Sequence, residues 1–157
     1  MKLKPHDVQG IVGKVMPLHL TKYIVSLKRK NEDGESYLMN TNSIVSPYSF
    51  KCDEDLVEVS FGEYITKISS GAFQDCTSLT TITFHDSLHR IDVNSFAGCT
   101  ALQKVIFPST LNEVDFKEGP VEITPSSLSS EEFAQYLKQG YAMDLYYKGE
   151  YRDDYWD

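Results

Sequence analysis

The chain has 157 residues, of which 41% are apolar and 24% are charged, and its net charge is −8. These values suit one globular domain with its own core. The acidic balance argues against direct binding to nucleic acid or to an anionic membrane, because both need clustered Lys and Arg. It permits a basic protein as partner. The charge is +3 in residues 1–44, −5 in 45–114 and −6 in 115–157, which predicts three segments with these boundaries.

The N-terminal segment, residues 1–44, is predicted to be a β-rich cap. "YIVSLKRK" and "ESYLMN" flank "NEDG", a pattern typical of a hairpin with Gly34 in the turn. The start of the chain has no apolar core of a signal peptide, and no run of 18 apolar residues follows. A cytoplasmic location is therefore expected if Met1 is the native start. A secreted or surface location is expected if a signal was removed.

The middle segment, residues 45–114, repeats one apolar pattern at a period of 23 residues. "SSGAFQDCTSLTTITF" from Ser69 matches "DVNSFAGCTALQKVIF" from Asp92, and a weaker copy precedes both. Three units follow, at about 45–67, 68–90 and 91–113, and Val114 opens a fourth that fades. The aligned apolar positions are Val45, Phe50, Leu56, Val59, Phe61 and Ile65, then Ile68, Phe73, Leu79, Ile82, Phe84 and Leu88, then Ile91, Phe96, Leu102, Val105, Phe107 and Leu111.

This period and the LxxLxL core are the signature of a repeat array, in which each unit buries its apolar side chains against the next unit. Ile82 and Phe84 lie two residues apart, so they point to the same side of a strand, and successive strands are expected to pair in parallel. Phe73 and Cys76 lie three apart, which suits a short helical turn with both side chains inward. Phe73 and Phe96 are the predicted core anchors.

The unit I-x4-F-x2-C-x2-L-x2-I-x-F-x3-L of residues 68–88, with its copy in 91–111, resembles the BspA-like leucine-rich repeat. The resemblance implies a short right-handed solenoid that offers a protein-binding or adhesion surface, and it brings no catalytic residues. Many relatives are secreted or surface proteins. The fold class is thus predicted as α+β with a repeat solenoid: about three units with a parallel sheet, an N-terminal β cap and a C-terminal helical cap.

The C-terminal segment, residues 115–157, begins with a predicted helix. Ser129 and Glu132 fit a capping box, "EEFAQYLKQ" has one apolar face, and Gly140 stands where a helix stops. "YAMDLYYKGEYRDDYWD" follows, rich in tyrosine and acid. It suits a hairpin around residues 148–149 that packs on the helical cap and is followed by a solvated end, a partner-binding segment, an acidic mimic of a nucleic-acid backbone, or a disordered tail. Its candidate protein-binding residues are Tyr146, Tyr147, Tyr151, Asp153, Asp154, Tyr155 and Trp156.

A second candidate protein-binding surface is the concave face of the repeat strands, because residues between buried positions face outward. A plain solvated face is the alternative. The residues predicted to lie on this face are Glu58, Ser60, Thr81, Thr83, His85, Lys104 and Ile106.

Features that suggest other chemistry have simpler interpretations. His85 and His89 have zinc-like i, i+4 spacing, but they fall at a strand end and a turn. The acids at 53–58 are expected to be solvated, because Leu56 and Val59 must face the core. The three cysteines do not form a disulfide framework or a zinc ribbon, and Cys76 and Cys99 are expected to be reduced core residues. We therefore predict no metal, no cofactor and no catalytic residue.

These observations predict a protein-protein interaction module that uses the concave face, the C-terminal segment, or both. One alternative is a small acidic inhibitor or immunity-type protein that neutralises a basic, nucleic-acid-acting enzyme. A surface adhesin fragment, or an enzyme with a site in one flank, are the others. The sequence predicts neither the partner's identity nor the oligomeric state.

Overall fold

The computed structural model describes residues 24–31, 36–39, 43–117 and 129–149. These residues contain ten strands and one helix, and the strands form two five-stranded sheets. The elements in chain order are β1 (Ile24–Arg29), β2 (Ser36–Met39), β3 (Ile44–Val45), β4 (Leu56–Phe61), β5 (Lys67–Ile68), β6 (Thr81–Thr83), β7 (Arg90–Ile91), β8 (Lys104–Ile106), β9 (Leu111–Phe116), α1 (Ser130–Lys138) and β10 (Met143–Tyr147).

The first sheet has the order β2-β1-β4-β6-β8. Residues 58–60 of β4 pair in parallel with β6, which pairs in parallel with β8, and each partner lies 23 residues further along the chain. The predicted parallel repeat strands are therefore confirmed. The predicted hairpin is also present, because β1 pairs antiparallel with β2 and joins the sheet by pairing antiparallel with β4. Gly34 and the rest of its turn lie outside the described residues, as does the segment before Ile24.

The second sheet has the order β3-β5-β7-β10-β9. β3, β5 and β7 pair in parallel at the same 23-residue period. Val114, the predicted start of a fourth unit, lies in β9, but β9 does not pair with β7. Instead β10 lies between these two strands and is antiparallel to both. The sequence pattern did not predict this insertion.

A column of phenylalanine rings runs through the core at the repeat period. The Phe50 and Phe73 centroids are 4.9 Å apart with ring planes 7° from parallel. The Phe73 and Phe96 centroids are 5.1 Å apart at 3°. Both Phe73 and Phe96, the predicted anchors, are fully buried. The chain around them forms successive turns, and Cys76 and Cys99 are buried beside the rings, as expected for a short helical turn with both side chains inward.

Two positions in every repeat have left-handed backbone, with φ between 56° and 77°. One column is Tyr48, Gly71 and Asn94, and the other is Cys52, Asp75 and Gly98. Glycine or the tolerant Asn and Asp, which left-handed backbone favours, occupy four of the six positions, and Tyr48 and Cys52 occupy the other two. Cys52 is therefore the counterpart of Asp75 and not a displaced member of the Cys76 and Cys99 column.

The helix α1 begins and ends as predicted. Ser129 accepts a hydrogen bond from the Glu132 N–H, and Gly140 has φ 87° just beyond the last turn. Backbone carbonyls at the end of α1 accept hydrogen bonds from the third repeat. The Gly140 carbonyl accepts from Asn94 N–H at 2.9 Å, and the Lys138 carbonyl accepts from Gly98 N–H at 3.2 Å. In the earlier repeats the next repeat supplies these carbonyls.

One buried carboxylate lies in the second sheet. The Asp144 side chain, 2% exposed, accepts from Arg90 Nη1 at 2.9 Å and lies 2.7 Å from Lys117 Nζ. Burial lowers the pKa of Arg90, but Asp144 and Asp92 outweigh that effect and the pKa is raised overall. The hydrogen bond to Asp144 raises the pKa of Lys117. Both cations therefore stay charged, which meets the need of a buried carboxylate for paired partners.

These elements confirm a repeat protein with strand-rich sheets, both parallel and antiparallel, and one described helix. The described part of the chain shows no closed solenoid, so the solenoid and its two caps stay predictions. The division at residues 44 and 114 also stays a prediction.

The phenylalanine column predicts a large loss of stability for Phe73→Ala. Removing a fully buried ring that contacts Phe50, Phe61 and Phe96 should lower the free energy of unfolding by about 3–5 kcal/mol. Phe107→Ala removes a half-buried ring at the edge of the core and should cost less. Urea unfolding followed by circular dichroism measures both values, and equal losses would contradict the central role of the column.

The left-handed columns predict unequal effects of two glycine substitutions. Gly71 and Gly149 both have positive φ, so Ala at either should cost about 1–2 kcal/mol from backbone strain. At Gly71 the added methyl would also overlap the Tyr48 ring, whereas at Gly149 it would meet nothing within 4 Å. Gly71→Ala should therefore lower the urea midpoint further than Gly149→Ala. Matching midpoints would mean that the contact between repeats is easily relaxed.

Candidate protein-binding face

The strands of the first sheet align their outward side chains in two rows. The register places Lys28 opposite Glu58, Glu58 opposite Thr81, and Thr81 opposite Lys104. The second row is Ser26, Ser60, Thr83 and Ile106. We call these eight residues the first-sheet face. They lie together because buried Val25, Leu27, Val59, Ile82 and Val105 hold the opposite side of the same strands in the core.

The structure brings six of the seven predicted concave-face residues into these rows. Glu58, Lys104 and Ile106 are exposed, and Ser60, Thr81 and Thr83 are half-buried. His85 lies beyond the end of β6, where its Nδ1 is 3.0 Å from a carboxylate oxygen of Asp86. Whether a partner binds these residues stays a prediction.

Sequence reasoning missed the contribution of β1 to this face. Val25 and Leu27 alternate with Ser26 and Lys28, so the pattern could have shown which side chains face outward. It could not show that β1 would pair with β4, since that pairing joins distant parts of the chain.

The first-sheet face has three charged residues, and all three are exposed to solvent. Lys28, Glu58 and Lys104 are exposed, and none has an ion-pair partner among the residues that the structure describes. The face is therefore of mixed charge and lacks the acidic character that binding a basic enzyme would favour.

An open groove of about 670 Å³ lies where the face meets the start of α1. Ile106, 40% exposed, and Phe107 give it an apolar floor. The side chain of Ser130 closes the outer edge of β8: its hydroxyl accepts from Val105 N–H at 2.7 Å and donates to Val105 C=O at 2.9 Å. The groove is lined by Gln103, Lys104, Val105, Ile106, Phe107, Ser130 and Glu131.

The second predicted surface, in the C-terminal segment, is not exposed where the structure describes it. Tyr146 and Tyr147 lie in β10 and are only 5% and 4% exposed. The Tyr147 hydroxyl donates to the Leu88 carbonyl at 2.6 Å, which ties β10 to the repeats. These two tyrosines are core residues because β10 fills the space between β7 and β9. Tyr151, Asp153, Asp154, Tyr155 and Trp156 lie outside the described residues.

Two of the three cysteines are packed in the core, and the described residues contain no metal-binding cluster. Cys76 and Cys99 are buried free thiols that donate to the carbonyls of Phe50 and Phe73, each at 3.1 Å, and Cys52 is exposed. The neighbouring Cys99 thiol and burial raise the pKa of Cys76, which keeps that thiol protonated. Among residues 24–31, 36–39, 43–117 and 129–149, no three His, Cys, Asp or Glu residues lie together so as to hold a metal ion.

Comparison with known families agrees with the repeat geometry. The family model described as "BspA type Leucine rich repeat region (6 copies)" matches residues 35–117, more than half of the chain. The chain belongs to this family. No curated protein and no solved structure matches the chain.

Repeats of the BspA type generally mediate protein-protein interaction or adhesion and are, in general, binding modules rather than enzymes. They often occur in surface or secreted proteins. In the described part of this chain, the one helix is too short to cross a membrane.

The double hydrogen bond of Ser130 predicts a measurable loss for Ser130→Ala. The change leaves the Val105 N–H and C=O without their partner, which costs about 1–3 kcal/mol when such groups are sheltered from water. Ser129→Ala is the matched control, since loss of an N-cap costs about 1 kcal/mol. Urea unfolding should give the larger loss for Ser130→Ala, and the opposite order would contradict its role at the strand edge.

Proposed function

We propose that this chain is a protein-protein interaction module that binds its partner through the first-sheet face. On this proposal, residues 45–114 form a short solenoid, the β1-β2 hairpin covers its first repeat, and α1 with β10 covers its last. The resulting surface has no catalytic task and serves to present side chains at fixed spacing.

The aligned rows of the first-sheet face are the observation that carries this proposal. Register pairing holds the side chains of four neighbouring strands about 4.8 Å apart, so their geometry is set before a partner arrives. A preorganised surface loses little conformational entropy on binding. Exposed Ile106 at one end adds an apolar contact of the kind that contributes at the centre of interfaces.

The mixed charge of the face favours a general interaction module over an inhibitor of a basic enzyme. Inhibition by charge would show a steep loss of affinity as salt rises, because long-range attraction is screened. On our proposal the affinity depends mainly on shape and short-range contacts. A partner released by moderate salt alone would support the inhibitor instead.

The test is comparative capture from source-cell lysate with quantitative mass spectrometry. Thr81→Arg/Thr83→Arg places two large cations in the middle of the face and should remove the partner from the captured set. Thr77→Arg/Thr100→Arg makes the same chemical change at exposed turn positions and should retain it. A partner that both variants bind as well as the unchanged protein does would overturn the proposal, once thermal unfolding shows that both are folded.

A further inference from the structure

The first-sheet face and the groove together form a strip of alternating charge. Beginning at the groove, the exposed residues are Glu131, Lys104, Glu58 and Lys28, with Thr81 between Lys104 and Glu58. Lys104, Thr81, Glu58 and Lys28 form one register row, with one residue from each of β8, β6, β4 and β1. The row spans about 14 Å at 4.8 Å per strand. None of the four charged residues has an ion-pair partner among the described residues.

The groove supplies an apolar contact beside this strip. Ile106 lies two residues after Lys104 on the same face of β8, and Phe107 follows it toward α1. Lys104 and Glu131 line the same groove as Ile106, so an apolar side chain placed over Ile106 would lie near one cationic and one anionic residue. Exposed charges contribute little alone but more when a partner excludes water from them.

Strand addition does not explain binding at this edge. An extended peptide that joined β8 would need the outward N–H and C=O of Val105, and the Ser130 hydroxyl already occupies both. A ligand in the groove must therefore be recognised through its side chains, with its chain crossing the strands.

We propose that the groove and strip bind an extended segment of a partner protein, of which about five residues cross the 14 Å from Lys104 to Lys28 and the remainder reaches into the groove toward Glu131. The segment carries one apolar side chain for Ile106 and Phe107. Its charges alternate in the complementary order: basic toward Glu131, acidic toward Lys104, basic toward Glu58 and acidic toward Lys28. This inference rests on the proposed function, because it assigns a ligand class to the same face.

A random heptapeptide library displayed on phage is the probe, with the full-length chain as the immobilised target. Selected peptides should share an apolar residue with an acidic residue on one side and a basic residue on the other. Ile106→Lys should weaken their binding by at least about tenfold, as expected for the loss of the one apolar anchor that fills the groove. Lys104→Glu should shift selection toward peptides with a basic residue in place of the acidic one.

Ile44→Lys is the matched control, because Ile44 is 39% exposed, almost the same as Ile106, but lies on the second sheet. It should leave peptide binding unchanged. Peptides that lack the shared pattern, equal binding to the Ile106→Lys variant, or no enriched peptide would each overturn the inference. If Thr81→Arg/Thr83→Arg loses partner binding but Ile106→Lys keeps peptide binding, the proposed function is retained and the groove is rejected as the binding site. If neither variant loses binding, both the proposed function and the groove are rejected.

Discussion

The repeats depend on one coincidence of distances. Parallel strands stack about 4.8 Å apart, and the Phe50, Phe73 and Phe96 rings stack with centroids 4.9 and 5.1 Å apart. Because the two spacings agree, one translation satisfies both the backbone hydrogen bonds and the aromatic contacts. The same translation aligns the thiols of Cys76 and Cys99 with the carbonyls of Phe50 and Phe73.

The parts of the fold that the sequence predicted are those that repeat or are local. Burial at Phe73 and Ile82 follows from the 23-residue period, and the start of α1 follows from Ser129. The position of β10 depends on pairing between distant segments, so the local sequence around Leu145 and Tyr147 does not predict it. Tyr146 and Tyr147 are counted among the candidate binding residues because Tyr is common both at interfaces and in cores.

The candidate face was predictable in outline for the same reason. Positions between buried strand residues must face outward, which identified Thr81 and Lys104 from spacing alone. The groove at Ile106 could not be predicted, since it arises where α1 meets β8 and depends on Ser130. The repeats thus fix where side chains stand, whereas the segment after them decides what shape the end of the face takes.

The position of β10 also constrains the order of assembly during synthesis. A ribosome produces β7 and β9 before β10, but β10 separates them in the finished sheet. The second sheet therefore cannot be completed until residue 147 has left the exit tunnel. Ile91 and Val114 occupy the same repeat position, so a simple continuation of the repeat would pair β9 directly with β7, as β7 pairs with β5. β10 takes the position beside β7 that such a continuation would fill, so the strand made last excludes the pairing that the repeat alone would favour.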